Sequence, residues 1–462
     1  MDTNIFREYD IRGIVGEQLT NETVVKVTRA IGTYFAQNNA LRIAIGYDAR
    51  ESSRPFYGML TEALLASGRQ VVQIGMVPTP VLYQTVHTKE VDGGVMITGS
   101  HNPAHHNGFK IALGTKTLFG SDIQEIRKIA EQPLPPSVPG YPQEGVVNRL
   151  DVLSSYVEDI VSRISLGPRK LKAVVDGGNG MGGVTAVPAY ENLGIELIKL
   201  YTEPDSSFPN HHADPTVEAN LQDLIGAVRE HNADLGLAFD GDGDRIGVVD
   251  ETGRIIWGDE LMILLSREIL AENPGATIIA EVKCSQNLFD DIEARGGTAI
   301  MERAGHSIIK SRMQSTGAKL AGEMSGHIFF ADRFYGFDDA TYAGARVLEI
   351  LSKTDKPLSE LLADIPPTFS TPELRVDCSD ELKFEVVARI AAHFASTNEV
   401  ITIDGARILF EHGWGLVRAS NTQAILVLRF EADSEENLNA IRSVVELKVK
   451  EVIGSFATRW SE

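Results

Sequence analysis

Cysteine is almost absent from this chain. Cys284 and Cys378 are the only two in 462 residues, which rules out a disulfide scaffold and fits a reducing, cytoplasmic setting. Long apolar runs are missing too; the longest are of strand length, well short of the ~20 residues a membrane span needs, so no membrane partner is expected. The opening Met1-Asp2-Thr3-Asn4-Ile5-Phe6-Arg7 has neither a basic start nor an apolar stretch, and no secretory signal is expected from it. Positive charge is in deficit: 43 Lys and Arg against 64 Asp and Glu leave a formal net charge of −21. Non-specific nucleic-acid binding, which needs a basic face, is not expected. An anionic substrate would need a local cluster of Arg, Lys and His inside this repelling field.

What is present is ordinary in bulk. Hydrophobic content is 43% and charged content 23%, as in common globular proteins. The chain is too long for one core, and about three or four domains of ~100–150 residues are expected. Two proline-rich stretches read as linkers: Pro133-Leu134-Pro135-Pro136-Ser137-Val138-Pro139-Gly140-Tyr141-Pro142 and Ile365-Pro366-Pro367-Thr368-Phe369-Ser370-Thr371-Pro372. Prolines at this density do not suit a helix or a central strand.

A pattern recurs three times along the chain. Each copy opens with a strand-like run: Arg42-Ile43-Ala44-Ile45-Gly46-Tyr47-Asp48, Leu171-Lys172-Ala173-Val174-Val175-Asp176, and Ala276-Thr277-Ile278-Ile279-Ala280-Glu281. Each later reaches a strand that ends in a polar, glycine-rich loop: Thr98-Gly99-Ser100-His101, Asp240-Gly241-Asp242-Gly243-Asp244, and Gly322-Glu323-Met324-Ser325-Gly326-His327. Helical patterns fill the intervals, as at 221–231 and 260–271. Strands alternating with helices predict an α/β fold with mixed, largely parallel sheets, whose carboxyl strand ends carry ligand-binding loops. The last ~90 residues, long enough for a small domain, differ: a helix at 382–394, a strand at 424–431 and a helix at 435–453 predict a smaller C-terminal α+β domain. The expected division is 1–146, 147–254, 255–367 and 368–462, around one central cleft.

Chemistry concentrates in the loops. Asp240, Asp242 and Asp244 stand on alternate residues, and carboxylates this close repel unless a cation sits among them. An EF-hand is the rival reading, with Glu251 at its twelfth position. It fails at the sixth position, where Arg245 replaces the required glycine, and in its flanks, which read as strands. Ser100 lies on a tight turn. A hydrolase elbow is excluded because Thr98 and Asn102 occupy its glycine positions, and with the acidic triplet, His101 and Lys110 nearby, a nucleophile or phosphate carrier is the favoured reading. Gly178-Asn179-Gly180-Met181-Gly182-Gly183 matches a dinucleotide fingerprint, yet no acidic residue ends a strand ~20 positions on, so a structural strand-turn-helix connection is preferred. Arg418, Ser420, Asn421 and Thr422 gather donors suited to a phosphate monoester. Tyr9, Arg12, His101, Lys110, Lys283, His306 and His327 are dispersed, near strand-end loops.

Four of these motifs, in this order, resemble the α-D-phosphohexomutase superfamily: Thr98-Gly99-Ser100-His101-Asn102-Pro103, 240–245, 322–327 and 418–422. The likeness spans essentially the whole chain, including Tyr9-Asp10-Ile11-Arg12-Gly13, and is nearest to the bacterial phosphomannomutase/phosphoglucomutase branch. It implies four domains around one cleft, with Ser100 as the phosphoserine. Asp240, Asp242 and Asp244 would hold Mg²⁺ with the Ser100 phosphate. Glu323 and Ser325 would take sugar hydroxyls beside His327, and Arg418, Ser420, Asn421 and Thr422 would hold the non-reacting phosphate. Tyr9, Arg12, His101, Lys110, Arg245, Lys283 and His306 match cleft positions. The third loop, with Met324 rather than the Gln usual in phosphoglucosamine mutases, is similar to the dual mannose/glucose branch. Ala304 and the pair Gln423-Ala424 depart from the usual pattern without removing a charged ligand.

The reaction implied interconverts hexose 6-phosphate and hexose 1-phosphate through a hexose 1,6-bisphosphate, which also serves as activator. Lys110 and Arg245 are candidates for stabilising transferring oxygens, and either His101 or His327 for taking the hydroxyl proton. The C-terminal domain is expected to hinge on the second proline-rich stretch. The partner is a phosphosugar, and the protein a monomer or weak dimer. Phosphoglucosamine mutase is the same-class alternative; a nucleotide-dependent oxidoreductase rests only on the glycine motif, and a non-catalytic sensor would need a lost nucleophile or metal site.

Overall fold

The computed structural model describes residues 1–133, 147–420 and 424–457. Four sheets, taken in chain order, define four units. The first runs Ile11–Ile14, His106–Leu113, Gly93–Ile97, Arg42–Tyr47, Gln70–Met76, Val147–Arg149, with Lys116–Thr117 paired beside His106–Leu113. The second runs Ile255–Ile256, Ile246–Asp250, Leu235–Phe239, Lys172–Asp176, Glu196–Leu200. The third runs Thr298–Glu302, Thr277–Glu281, Leu320–Gly322, Ile328–Phe330. Every pairing of the fourth sheet, built on Gly413–Ala419 and Ile425–Ala432, is antiparallel.

The recurrence seen in the sequence has a structural meaning. In each of the first three units a parallel core strand turns back on an antiparallel neighbour: Gly93–Ile97 on His106–Leu113, Leu235–Phe239 on Ile246–Asp250, Leu320–Gly322 on Ile328–Phe330. Each polar loop is the bend of that reversal. The first two core strands are buried along their whole length, as runs of small and branched apolar residues in covered sheets must be. The antiparallel partner strands explain why the sheets are mixed.

Helix positions follow the apolar periodicity to within a few residues: Gln222–His231, Gly258–Glu272, Lys383–Phe394 and Glu435–Ala457. The second and third units share one core, in which Tyr190, Phe239, Ile246 and Tyr342 are all buried. The first and fourth units keep further cores of their own. The strand Val147–Arg149 joins the first sheet and Ile255–Ile256 the second, so those sheets reach a few residues past 146 and 254. Of the proline-rich stretches, 134–142 lies outside the described residues. In the other, Phe369–Ser370 forms an edge strand against Ile425–Ala432, so the end of that linker belongs to the C-terminal sheet. The edge is where a proline-flanked strand is tolerated. No helix among the described residues is long and apolar enough to cross a membrane.

Candidate active site

Ser100 sits at the bend with φ +49, a left-handed conformation that costs a non-glycine residue about 1–3 kcal/mol. Its surroundings hold it there. The Ser100 N–H donates to Thr98 Oγ1 at 2.8 Å. Buried Arg50 fans out to four backbone carbonyls, of Ser100 (2.7 Å), Asn102 (2.6 Å), Pro103 (2.6 Å) and His106 (3.1 Å). Asp48 anchors Arg50 Nε at 3.1 Å and also accepts the Gly99 N–H. The side chain is thereby aimed: Ser100 Oγ lies 3.0 Å from Asp240 Oδ2 and 3.1 Å from His101 Nδ1.

The acidic loop meets Ser100 because Gly241 has no side chain. A Cβ there would stand 2.3 Å from the Ser100 carbonyl oxygen. Gly180 serves the same loop from behind, where a Cβ would come within 2.8 Å of Gly241 Cα, and the Met181 N–H donates to the Gly241 carbonyl at 3.0 Å. The glycine motif at 178–183 thus connects the strand Lys172–Asp176 to the helix Gly182–Asn192 and buttresses the carboxylates. The flanks of the acidic loop are paired strands, as the rejection of an EF-hand requires.

Asp240, Asp242 and Asp244 are fully buried and each offers an oxygen within 4.8 Å of the others. Asp240 Oδ1 accepts the N–H groups of Gly243, Asp244 and Arg245, which leaves Oδ2 toward Ser100. Asp242 Oδ2 takes Lys110 Nζ at 2.7 Å and the Thr79 hydroxyl at 2.5 Å, while its Oδ1 is buried with no hydrogen-bond partner. Lys110 also reaches Asp244 at 2.5 Å. Burial, then Asp242 and Asp244, push the Asp240 carboxyl well above the carboxylate range. Burial acts in the same upward direction on Asp244, but Lys110 and His327 outweigh it and hold that group well below its usual value. An orphaned buried oxygen among crowded carboxylates fits a hard divalent cation.

The third loop closes the site. His327 Nδ1 lies 2.7 Å from Glu323 Oε2 and Nε2 lies 3.2 Å from Asp244 Oδ1. Ser325 Oγ is 3.3 Å from Nδ1, and Arg245 Nε competes for Nε2 at 3.2 Å. Burial and Arg245 lower the His327 pKa, but Asp244 and Glu323 prevail and raise it to about 9. His101 goes the other way, held well below its ordinary value by burial and by Arg245 and Arg12. The two imidazoles around Ser100 and Asp244 therefore differ in charge at neutral pH. His306 stacks on His327 at 5.5 Å between ring centroids and lies 3.2 Å from Asp338.

The remaining expected residues ring this centre. Tyr9 donates to the Ala304 carbonyl at 2.8 Å, and Arg12 pairs with Asp10. Lys283 pairs with Glu373 at 2.8 Å and with Glu281 at 3.5 Å. Arg418 Nε and NH2 hold Asp404 at 3.0 and 2.9 Å, and the Ser420 carbonyl accepts from Lys383 at 2.6 Å. Asn421 and Thr422 lie outside the described residues. The fourth unit is docked beside Lys283: Arg407 donates to the carbonyls of Val282 and Cys284 at 2.6 and 2.8 Å. Arg50, Asp48, Thr79, Asp404 and Glu281 escaped the sequence reading. Only Asp48 and Glu281 carried a signal, as acidic residues closing a strand-like run.

The sequence matches four family descriptions in order. They are "Phosphoglucomutase/phosphomannomutase, alpha/beta/alpha domain I" over residues 3–134, domain II over 154–253, domain III over 257–369, and the C-terminal domain over 373–448. The chain belongs to the phosphoglucomutase/phosphomannomutase family. Among full-length relatives, a phosphomannomutase/phosphoglucomutase of Pseudomonas aeruginosa is 45% identical over 458 residues, 98% of this chain and 97% of that protein. A phosphoglucomutase of Neisseria gonorrhoeae is 46% identical over 443 residues, 95% of each chain. The crystal structure of a phosphoglucomutase/phosphomannomutase family protein from Burkholderia thailandensis superposes with a TM-score of 0.91 at 41% identity, covering 98% of both chains. The four sheets and the mixed α/β architecture are those of a phosphoglucomutase/phosphomannomutase family member.

Proposed function

We propose that the protein is a phosphohexomutase acting on mannose and glucose phosphates, which moves a phosphoryl group between the 1- and 6-hydroxyls by way of phosphorylated Ser100 and a 1,6-bisphosphate. The observation that carries this reading is the 3.0 Å approach of Ser100 Oγ to Asp240 Oδ2, a strained, buried hydroxyl against one carboxylate of the acidic triplet. Asp240, Asp242 and Asp244 would hold Mg²⁺ together with the Ser100 phosphate. Bound there, the ion supplies neutralisation of phosphoryl charge.

The chain's own groups do the rest. The Ser100 oxygen releases its phosphoryl group as the substrate hydroxyl bonds to phosphorus, and the hydroxyl proton passes to an imidazole. The intermediate then turns end for end and its other phosphoryl group returns to Ser100. Lys110 and Arg245 would take up charge on the transferring oxygens, the main catalytic lever in such reactions. His101, held neutral, is ready to receive a proton. His327 carries one in the described state, and neutralising Asp244 would release it to act as acceptor in turn. Glu323 and Ser325 face the sugar hydroxyls. Arg418 and Ser420, with Asn421 and Thr422, clamp the distal phosphate, while Tyr9, Arg12, Lys283 and His306 line the cleft. We assign the four units to 1–146, 147–254, 255–367 and 368–462; the matched regions 3–134, 154–253, 257–369 and 373–448 support a division into four in this order.

The test is incubation with Mg²⁺, a trace of glucose 1,6-bisphosphate, and glucose, mannose or glucosamine 1-phosphate in parallel. Conversion of the first two, lost in Ser100→Ala, supports the proposal. Conversion of glucosamine phosphate alone would move the assignment to phosphoglucosamine mutase.

A further inference from the structure

A cavity of about 260 Å³ lies between the first and third units, behind the helix His306–Thr316 and outside the cleft residues already described. One wall is aromatic. Tyr335 and Phe337 stack at 5.9 Å between centroids, and His87 lies against both at 5.4 and 5.5 Å. The rest of the lining mixes apolar groups such as Met313 and Ala331 with lysines and hydroxyls. Lys116, Lys310 and Lys319 line the space; Lys116 is paired with Asp122 at 2.8 Å and Lys310 with Asp338 at 2.9 Å. Among the described residues the Lys319 ammonium makes no ion pair. Ser307 Oγ, in a residue 1% exposed, borders the cavity with no hydrogen-bond partner.

The cavity is wired to the acidic loop. Lys310 Nζ lies 2.9 Å from Asp338 Oδ1 and 3.9 Å above the Tyr83 ring. Asp338 Oδ2 lies 3.2 Å from His306 Nδ1. His306 stacks on His327, whose Nε2 is 3.2 Å from Asp244. An anion beside Lys310 would draw its ammonium away from Asp338, and the loosened carboxylate would re-pair with His306 at the edge of the stack.

We propose that this cavity is a second binding site, for a small ring-bearing phosphate monoester, and that its occupancy changes turnover through Lys310 and Asp338. The chemistry follows from the walls. Flat rings favour a ring-bearing body, while ammonium point charges and a free hydroxyl suit phosphate oxygens. Among the described residues no arginine lines the space to offer a carboxylate its fork. The volume falls just under the ~300 Å³ at which ordinary ligand pockets begin, which leaves room for one ring and one phosphate.

Phenyl phosphate is a suitable probe. It is titrated calorimetrically into the full chain with the cleft saturated by glucose 1-phosphate, and kcat is measured over the same range. The expected result is binding of one probe per chain, at least a twofold change in kcat, and at least tenfold weaker binding in Lys319→Glu. Gln314→Trp, at an exposed helical position on the rim, should block the same site by bulk, and both variants should keep their basal kcat. Absence of binding with the cleft filled, binding that neither variant weakens, or binding without a change in kcat would each overturn the proposal.

Discussion

Arg50 donates a 2.7 Å hydrogen bond to the carbonyl oxygen of Ser100. Ser100, the proposed phosphoryl carrier, is therefore held through its backbone by a side chain from another loop of the same sheet. Lysine at position 50 would keep the charge but lose the fork that serves four carbonyls. Arg50→Lys is expected to lower kcat at least tenfold with a smaller change in KM. Leaving buried carbonyls without a donor should also cost about 1–3 kcal/mol. Steady-state kinetics and urea melts check both.

Asp242 presents one satisfied and one orphaned oxygen. In Asp242→Asn, the amide nitrogen meets either Lys110 or the cation site, and neither can use it. Divalent-ion affinity, read by calorimetry with Mg²⁺ or by Mn²⁺ paramagnetic resonance, should fall by about 10- to 100-fold. Unchanged affinity would move the metal away from this triplet.

Glu281 is fully buried. Its Oε1 accepts the Met324 N–H at 2.9 Å, while Oε2 has no hydrogen-bond partner. Burial raises its pKa to about 7, against the opposing pull of Lys283. Between the ordinary value of 4.5 and about 7 the unfolded chain has lost this proton while the folded chain keeps it. Stability therefore falls as pH rises through that window, by up to about 3 kcal/mol from this group. Glu281→Gln should flatten that slope in melts taken from pH 4.5 to 7.5. An unaltered slope would show that Glu281 titrates normally.

Asp404 accepts both from Arg418 and from the Ala304 N–H. Asp404→Asn keeps the size but weakens the hold on the guanidinium, and with it the aim of the proposed phosphate clamp. KM for glucose 1-phosphate should rise about tenfold, with kcat changing less. An equal loss in both would place Asp404 in the chemical step instead.

What the sequence disclosed followed from pattern. Branched apolar runs ending in Gly, Ser or Asp located all three strand-end loops, and 3.6-residue periodicity located the long helices to within a few residues. The acidic triplet, Ser100, Lys110, Glu323 and His327 are brought together as neighbours, because each sits at or beside a strand end whose direction the alternation of elements determined. Arg50 and Asp404 were invisible for the converse reason. Arg50 serves carbonyls some fifty residues along the chain, and Asp404 joins the Arg418 side chain to the distant Ala304 N–H; no local spacing encodes either. The strand at Phe369–Ser370 was hidden by its prolines, which exclude a central strand but not an edge.

Ala304 is grasped at both ends of one residue, Tyr9 on its carbonyl and the Asp404 carboxylate on its N–H, at 2.8 and 3.1 Å. The first and fourth units thus meet across a single residue of the third. Two such bonds are worth only about 1–3 kcal/mol each, so the latch slows escape by a few powers of ten at most. In the proposed reaction, a sugar that reverses itself before leaving would be retained by contacts as slight as these two on Ala304.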